Sequence, residues 1–284
     1  MVRKYVKNIV SILVLFAFLV NTSGSAYAQL AMPLPEPGSM VSLSEAYQPV
    51  LIKGMSIHKD NPFIFDFIVD SGQDRLQGEA LKAEGERLIK YFMAGMTIPG
   101  KDLWVNLSPY EKNRVTSQHL GETDLGKDLL AQDYILKQLT ASLIYPKKEL
   151  GKTFWDKVYS RTQDLYGISE VPVDTFNKVW IMIDEAEVFE QGQTVFVTKC
   201  HLHVLMEQDY LALQKSRGQE VGSLDPRPEG HALTSEIMKE AVLPLLEKEV
   251  NTGKSFSSLR QVFHSLILAG WYKNNIKESI LSES

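Results

Sequence analysis

The longest regular apolar pattern of the chain lies in residues 123–167 and predicts two helices that meet at Tyr145-Pro146. In the first helix, residues 124–145, leucines recur three, four or seven positions apart and therefore share one face. They are Leu125, Leu129, Leu136, Leu139 and Leu143. Thr123 is a suitable N-cap, and Pro146 ends the helix because it has no N–H to donate. The short connection predicts an antiparallel helical hairpin whose broad apolar face must be buried.

The second helix of this hairpin carries three aromatic residues, Trp155, Tyr159 and Tyr166. Aromatic side chains are the usual filling between packed elements, so the expectation is an aromatic part of the core. The alternative is a ligand groove that these three rings line.

The N-terminus has the order of parts found in a secretory signal peptide. Arg3, Lys4 and Lys7 precede an apolar run at residues 9–20, and small residues follow up to Ala26-Tyr27-Ala28. We expect residues 1–28 to be removed and the mature chain to be exported across the inner membrane, into the periplasm or the medium. Because the apolar run is short for a membrane span, no stable membrane anchor is expected after cleavage. An uncleaved anchor is the alternative.

Composition narrows the class of partner. The chain has 284 residues and a formal net charge of −5 at pH 7, and an acidic balance argues against nucleic acid. Its single cysteine, Cys200, cannot form an internal disulfide, so an exported chain must depend on its hydrophobic core. Residues 29–43, with three prolines at alternate positions, predict a Pro-rich tether, and residues 44–284 predict a single globular domain.

Strand patterns occur on both sides of the helical hairpin. Residues 50–57 and 63–70 are rich in β-branched and aromatic side chains, residues 102–107 predict a short strand, and residues 177–205 predict a β-hairpin. Short turns join antiparallel strands. The sequence therefore predicts an α+β fold: a mainly antiparallel sheet covered by helices, with the helical hairpin as its main cover.

The β-hairpin allows a prediction of register. If Gln191 and Gly192 form a two-residue turn, Asp184 lies opposite Lys199, Met182 opposite His201 and Trp180 opposite His203. The other face is then apolar and is predicted to be core: Val179, Ile181, Ile183, Phe196, Cys200, Leu202 and Val204. Cys200 is predicted to be a buried small hydrophobe; a nucleophilic role is the alternative, for which no base can be identified.

One group of residues has metal-like spacing. His201 and His203 share a strand face, and Asp184 lies diagonally across from His201 in the predicted register. Imidazole and carboxylate ligands suit zinc or another divalent metal. Two facts weigh against a cofactor: Lys199 competes for Asp184, and His-x-His occurs by chance on amphipathic strands. His264, in the last predicted helix, is expected to be a core or boundary residue.

Four strings of the sequence are distinctive: DLWVNLSPYE at 102–111, residues 124–146, FNKVWI at 176–181 and HSLIL at 264–268. They resemble a family of exported bacterial proteins with no assigned activity. The resemblance spans most of the mature chain, and it implies export and a single fold but transfers no catalytic residue.

Two hypotheses for function follow. The first is an exported, non-enzymatic structural or interaction protein with a protein partner that the sequence does not identify. It is motivated by the absence of a P-loop, a dinucleotide-binding motif, H-E-x-x-H, G-x-S-x-G or paired C-x-x-C. The second is a metal-dependent hydrolase that uses His201, His203 and Asp184.

The first prediction concerns processing. Ala26 and Ala28 occupy the small-residue positions of a cleavage site, so the mature chain should begin at Gln29. Intact-mass measurement of protein purified from the exporting host checks this, and a chain that retains residues 1–28 would contradict it.

Overall fold

A four-stranded antiparallel sheet and seven α-helices make up the described part of the computed structural model, which covers residues 34–37, 39–58, 60–97, 123–145, 147, 149–166, 179–216 and 230–282. The strands are β1 (Leu51–His58), β2 (Asn61–Asp70), β3 (Val179–Gln191) and β4 (Thr194–Met206). The helices are α1 (Gly78–Thr97), α2 (Asp124–Leu143), α3 (Glu149–Tyr166), α4 (Glu207–Ser216), α5 (Gly230–Ala241), α6 (Leu243–Thr252) and α7 (Ser257–Ser282), with a 3₁₀ turn, Lys254–Phe256, before α7.

The strand order is β2-β1-β4-β3, and every neighbouring pair is antiparallel. The predicted α+β class is therefore confirmed, as are the strands expected near 50–57, 63–70 and 177–205. The strand predicted at 102–107 lies outside the described residues. Pro62, expected in the turn, lies instead at the start of β2, where an outermost strand tolerates a residue without an N–H.

Helix α7, and not the predicted helical hairpin, is the main cover of the sheet. It contacts β1 and β4, while α6 packs along β4. Helix α2 packs against α1 and α7, and α3 packs against α5. The prediction ranked α2 first because of its leucine stripe, but α7 is apolar around more of its circumference. Its buried apolar residues are Leu259, Val262, Phe263, Leu266, Leu268, Ala269 and Tyr272.

The helical hairpin keeps its predicted local features. Thr123 caps α2, its hydroxyl accepting the N–H of Gly126 at 3.1 Å. Trp155 is 3% exposed and donates its indole N–H to the carbonyl of Ile144 at 2.7 Å. The Trp155 ring stacks on Tyr159 with centroids 5.4 Å apart. The prediction of an aromatic core is confirmed for Trp155 and wrong for Tyr159, which is 40% exposed. The Tyr166 side chain lies outside the described residues.

The predicted register of the β-hairpin is wrong by two residues. Gly192 and Gln193 form the turn, so Gln191 lies opposite Thr194. The turn predicted at Gln191-Gly192 would need a left-handed conformation at a residue other than glycine. Moving the turn by one residue gives Gly192 the first central position, and there its φ is +66°.

Two β-bulges shift the hairpin further. Asp184 is the extra residue on β3, and Thr198 is the extra residue on β4. The bulge at Thr198 reverses which alternate residues of β4 face the helices. Before it, the residues that face the helices are odd-numbered, Val195 and Val197; after it they are even-numbered, as is Leu202. The predicted core face is confirmed for Leu202, but Phe196 lies on the opposite side of the sheet.

That opposite side is here called the open face. A row of four residues crosses it, one from each strand: Ile68, Gly54, Phe196 and Phe189, each directly opposite the next. A Cβ at Gly54 would lie 3.0 Å from a ring carbon of Phe196, so the ring occupies the space above the glycine.

The segment after residue 33 is attached to the helices rather than free. Val41 donates its N–H to the Ser142 hydroxyl at 2.8 Å, and Tyr134 donates its hydroxyl to the carbonyl of Pro35 at 2.8 Å. Ala46 pairs with Gly253 as an isolated β-bridge. The part of the predicted tether that the structure describes, from Leu34 onward, therefore lies along α2.

Two glycines of α1 provide a matched test of helix packing. A Cβ at Gly95 would lie 2.8 Å from Leu266 and 3.0 Å from Ala269 of α7, whereas nothing lies within 4 Å of one at Gly85. We expect Gly95→Ala to destabilise the protein by about 1–3 kcal/mol through overpacking. Gly85→Ala should instead stabilise it by up to about 1 kcal/mol, the difference in helix propensity.

Chemical denaturation of the two variants measures both effects. Equal shifts of the unfolding free energy in the same direction would show that α1 and α7 do not approach each other at Gly95.

Candidate functional site

The two histidines singled out by the sequence lie on β4, on the open face. His201 is opposite Glu185 and His203 is opposite Met182, so both predicted partners, Met182 for His201 and Trp180 for His203, are wrong. Their side chains are 37% and 40% exposed, and solvent therefore reaches both imidazoles.

Glu247 of α6, which the sequence did not point to, joins the two histidines. Its Oε2 lies 2.5 Å from Nδ1 of His203 and accepts the N–H of Val204 at 3.1 Å. Its Oε1 lies 3.6 Å from Nε2 of His201. The Glu247 carboxylate thus contacts both imidazoles and also the backbone of β4. His201, His203 and Glu247 are here called the histidine cluster.

Glu247 reaches the strand because α6 takes the place of a neighbouring strand. β1 pairs with β4 only at residues 194–196, so the backbone of β4 further along needs other partners on that side. Asn251, one turn after Glu247, accepts the N–H of Leu202 at 2.9 Å and donates to its carbonyl at 2.7 Å. The Asn251 side chain thus makes the two hydrogen bonds with Leu202 that a neighbouring strand would make.

Asp184 contributes less than predicted. As the extra residue of a bulge it has no partner directly opposite, and its Oδ2 lies 3.8 Å from Nδ1 of His201. Lys199, predicted to pair with Asp184, lies opposite Glu187 and forms an ion pair with Glu185. Within the described ranges, no group of three His, Cys, Asp or Glu side chains is arranged to hold a metal ion.

A second feature of the open face is its exposed apolar surface, here called the apolar patch: Ile68, Phe189 and Phe196. Ile68 is 36% exposed and Phe189 55%, and Phe196 is half-buried. At the other end of the face, α4 covers the sheet, because Tyr210 stacks on Trp180 with ring centroids 4.1 Å apart. The apolar patch is therefore an exposed continuation of a face that is buried elsewhere.

The two outermost strands differ in charge. The exposed half of β3 carries four acidic residues, Asp184, Glu185, Glu187 and Glu190. β2 carries two, Asp66 and Asp70, within a run of phenylalanine, isoleucine and valine. Charged residues and bulges are the usual means by which proteins keep a strand edge from pairing, and β3 has both.

Two further reactive residues lie in or beside the core. Cys200, predicted to be buried, is only partly buried and packs against the core. Burial raises the pKa of its thiol to about 11, so the thiol is protonated at neutral pH. His264 is 7% exposed, and burial, aided by the charges of Lys53 and Arg260, lowers its pKa to about 4. His264 is therefore a neutral core residue, and its predicted position is confirmed.

An open depression of about 500 Å³ lies between α3 and α5. Its lining residues are Thr153, Asp156, Lys157, Ser160, Ile237 and Glu240. Small-molecule sites usually enclose most of the surface of their ligand, and this depression is open to solvent, so it is a weaker candidate than the open face.

Comparison with protein-family models, with curated proteins and with solved structures found no match for the chain. None of the helices in the described ranges is long and apolar enough to cross a membrane. The interpretation of function therefore rests on the geometry of the open face and the histidine cluster.

Proposed function

We propose that this chain is an exported, non-enzymatic interaction protein that binds a protein partner through the apolar patch. The observation that carries the proposal is the apolar row across the open face, which runs from Ile68 through Phe196 to Phe189. Export is supported by the basic, apolar and small-residue order of residues 1–28.

Leaving an apolar side chain in water forgoes roughly 1.5–3 kcal/mol of the free energy that full burial provides. Phe189 is 55% exposed and Ile68 is 36% exposed. A partner that covers them recovers much of this free energy, and aromatic residues are enriched at the centres of protein interfaces. Isolated exposed apolar residues need no explanation, but contiguous ones mark interaction sites.

The potentially reactive side chains support the same conclusion. His203 and Glu247 contact each other and the backbone of β4, and Cys200 is held as a thiol by burial. Each of these groups has a structural role that accounts for its position.

Site-specific photo-crosslinking tests the proposal. Benzoylphenylalanine placed at position 189 should yield a discrete cross-linked adduct with a partner protein in the exporting host. The same group placed at position 93 should yield none, because Met93 is equally exposed, at 53% against 55% for Phe189, but lies on α1 away from the apolar patch. Adding Ile68→Ser should remove the adduct at position 189 by breaking the apolar patch.

No adduct at position 189, or the same set of adducts at both positions, would mean that the apolar patch holds no partner.

A second candidate function is a divalent-metal site, and Glu247 is the observation that favours it. With His201 and His203 it supplies two imidazoles and one carboxylate, a ligand set known for catalytic zinc. If bound there, a metal would supply an activated water for hydrolysis. The three side chains contact one another instead, so they would have to separate to admit the ion.

Zinc titration separates the two functions. On the leading proposal, calorimetry of the metal-stripped mature protein should show no stoichiometric submicromolar site, since the Glu247 carboxylate is engaged by His203 and Val204. A submicromolar site that is lost in His201→Ala and kept in His58→Ala would instead establish the metal function. His58 is the matched control: it too contacts a carboxylate, with Nε2 2.9 Å from Asp66.

A further inference from the structure

We propose that β2 accepts an extended segment of the protein partner as a fifth strand, with the segment's side chains extending the apolar patch. This inference rests on the proposed function and specifies the partner's conformation. It concerns residues 65–70, where β2 runs without an inserted residue.

Among the described strands β2 is outermost and pairs only with β1. On an outermost antiparallel strand, alternate residues direct their N–H and C=O groups away from the sheet. These groups form hydrogen bonds with an added strand, the mode of recognition called β-augmentation.

Phe65 and Phe67 pack on the helix-covered side against Phe92 of α1, at centroid distances of 5.5 and 5.0 Å, and Phe65 also packs on Tyr272 of α7 at 5.2 Å. The strand is thus held in place before any partner arrives. A preorganised template loses little conformational entropy on binding.

The other outermost strand, β3, is better protected against pairing. It carries a bulge at Asp184 and four acidic residues, whereas residues 65–70 of β2 contain no inserted residue and two acidic residues. The bulge of the β1–β2 ladder, at Lys53, lies on β1. Strand β2 is therefore the less protected of the two edges of the sheet.

Asp66 indicates the charge of the partner. It lies on the open face near Ile68, its side chain is 76% exposed, and its Oδ2 lies 2.9 Å from Nε2 of His58. Opposite charges facing each other across paired strands are stabilising, and like charges are destabilising. A second copy of this chain paired through the same edge would bring two Asp66 carboxylates onto one sheet face. The edge therefore fits a different protein, one whose extended segment alternates apolar residues and carries a lysine or arginine.

A peptide selection tests the inference. Random octapeptides displayed on phage are selected against the full mature chain, and a synthetic peptide of the selected sequence is the probe. We expect alternating apolar residues with at least one lysine or arginine. Hydrogen exchange of backbone amides in residues 65–70 should slow when the peptide binds.

Two variants of matched exposure locate the contact. Ile68 on β2 is 36% exposed and Val188 on β3 is 37% exposed. Ile68→Lys should weaken peptide binding at least tenfold, whereas Val188→Lys should change it less than twofold. Asp66→Lys should favour selection of acidic peptides. Circular dichroism and the melting temperature establish that each variant is folded.

Three outcomes overturn the inference. The first is selection of no peptide, and the second is a concentration-dependent dimer that protects the amides of β2. The third is peptide binding that Ile68→Lys leaves unchanged but Phe189→Ser removes; this result rejects strand addition and keeps the apolar patch as the binding surface. The cross-linking experiment judges the proposed function separately, because it requires no strand addition.

Discussion

The burial of α7 is the constraint on which the rest of the structure depends. Its apolar residues face both the sheet and the helices, so the helix joins the two layers. The close approach of α1 is possible because Gly95 leaves room for Leu266. One polar residue completes the junction: Gln261 donates to the carbonyl of Val50 and to Glu84, and accepts from Arg87. A buried amide with three hydrogen bonds fixes the position of α7 relative to β1 and α1 more narrowly than apolar contact alone.

The helices cover one face of the sheet, and two features remain to be explained: the unpaired backbone groups of β4 and the apolar patch on the open face. The unpaired side of β4 is satisfied by Asn251 and Glu247, and this solution places a carboxylate beside His201 and His203. The histidine cluster is thus explained by the need to satisfy strand backbone groups. The apolar patch has no such explanation among the described residues, since a polar surface would serve an unpartnered sheet face better. Because the histidine cluster has a structural explanation and the apolar patch has none, the proposed binding surface is the apolar patch.

The sequence predicts local features well because they depend on a few neighbouring residues. The N-cap at Thr123, the fold class and the antiparallel hairpin at Gly192 follow from capping, periodicity and turn chemistry. The register does not follow, because the turn lies at Gly192-Gln193 and not at Gln191-Gly192. Bulges at Asp184 and Thr198 then shift the pairing further, and period-two patterns cannot place an inserted residue. Glu247 lies 44 residues from His203, and it was not predicted from the sequence. A signal was present: Glu247 and Asn251 lie four residues apart on an otherwise apolar helix, which indicates a helix face with polar partners.

Helix α7 follows all the other described helices and strands in the chain, and this order limits when the fold can close. Synthesis delivers a chain from its N-terminus, yet Ser44 bonds to Glu249, 205 residues later. Contacts of such long range form slowly because a long loop must first be closed. Until residues 249–282 have been synthesised, Ser44 lacks its partner Glu249 and the sheet lacks α7, its main cover. The fold of a chain built in this way is therefore completed only after its last described helix has been made.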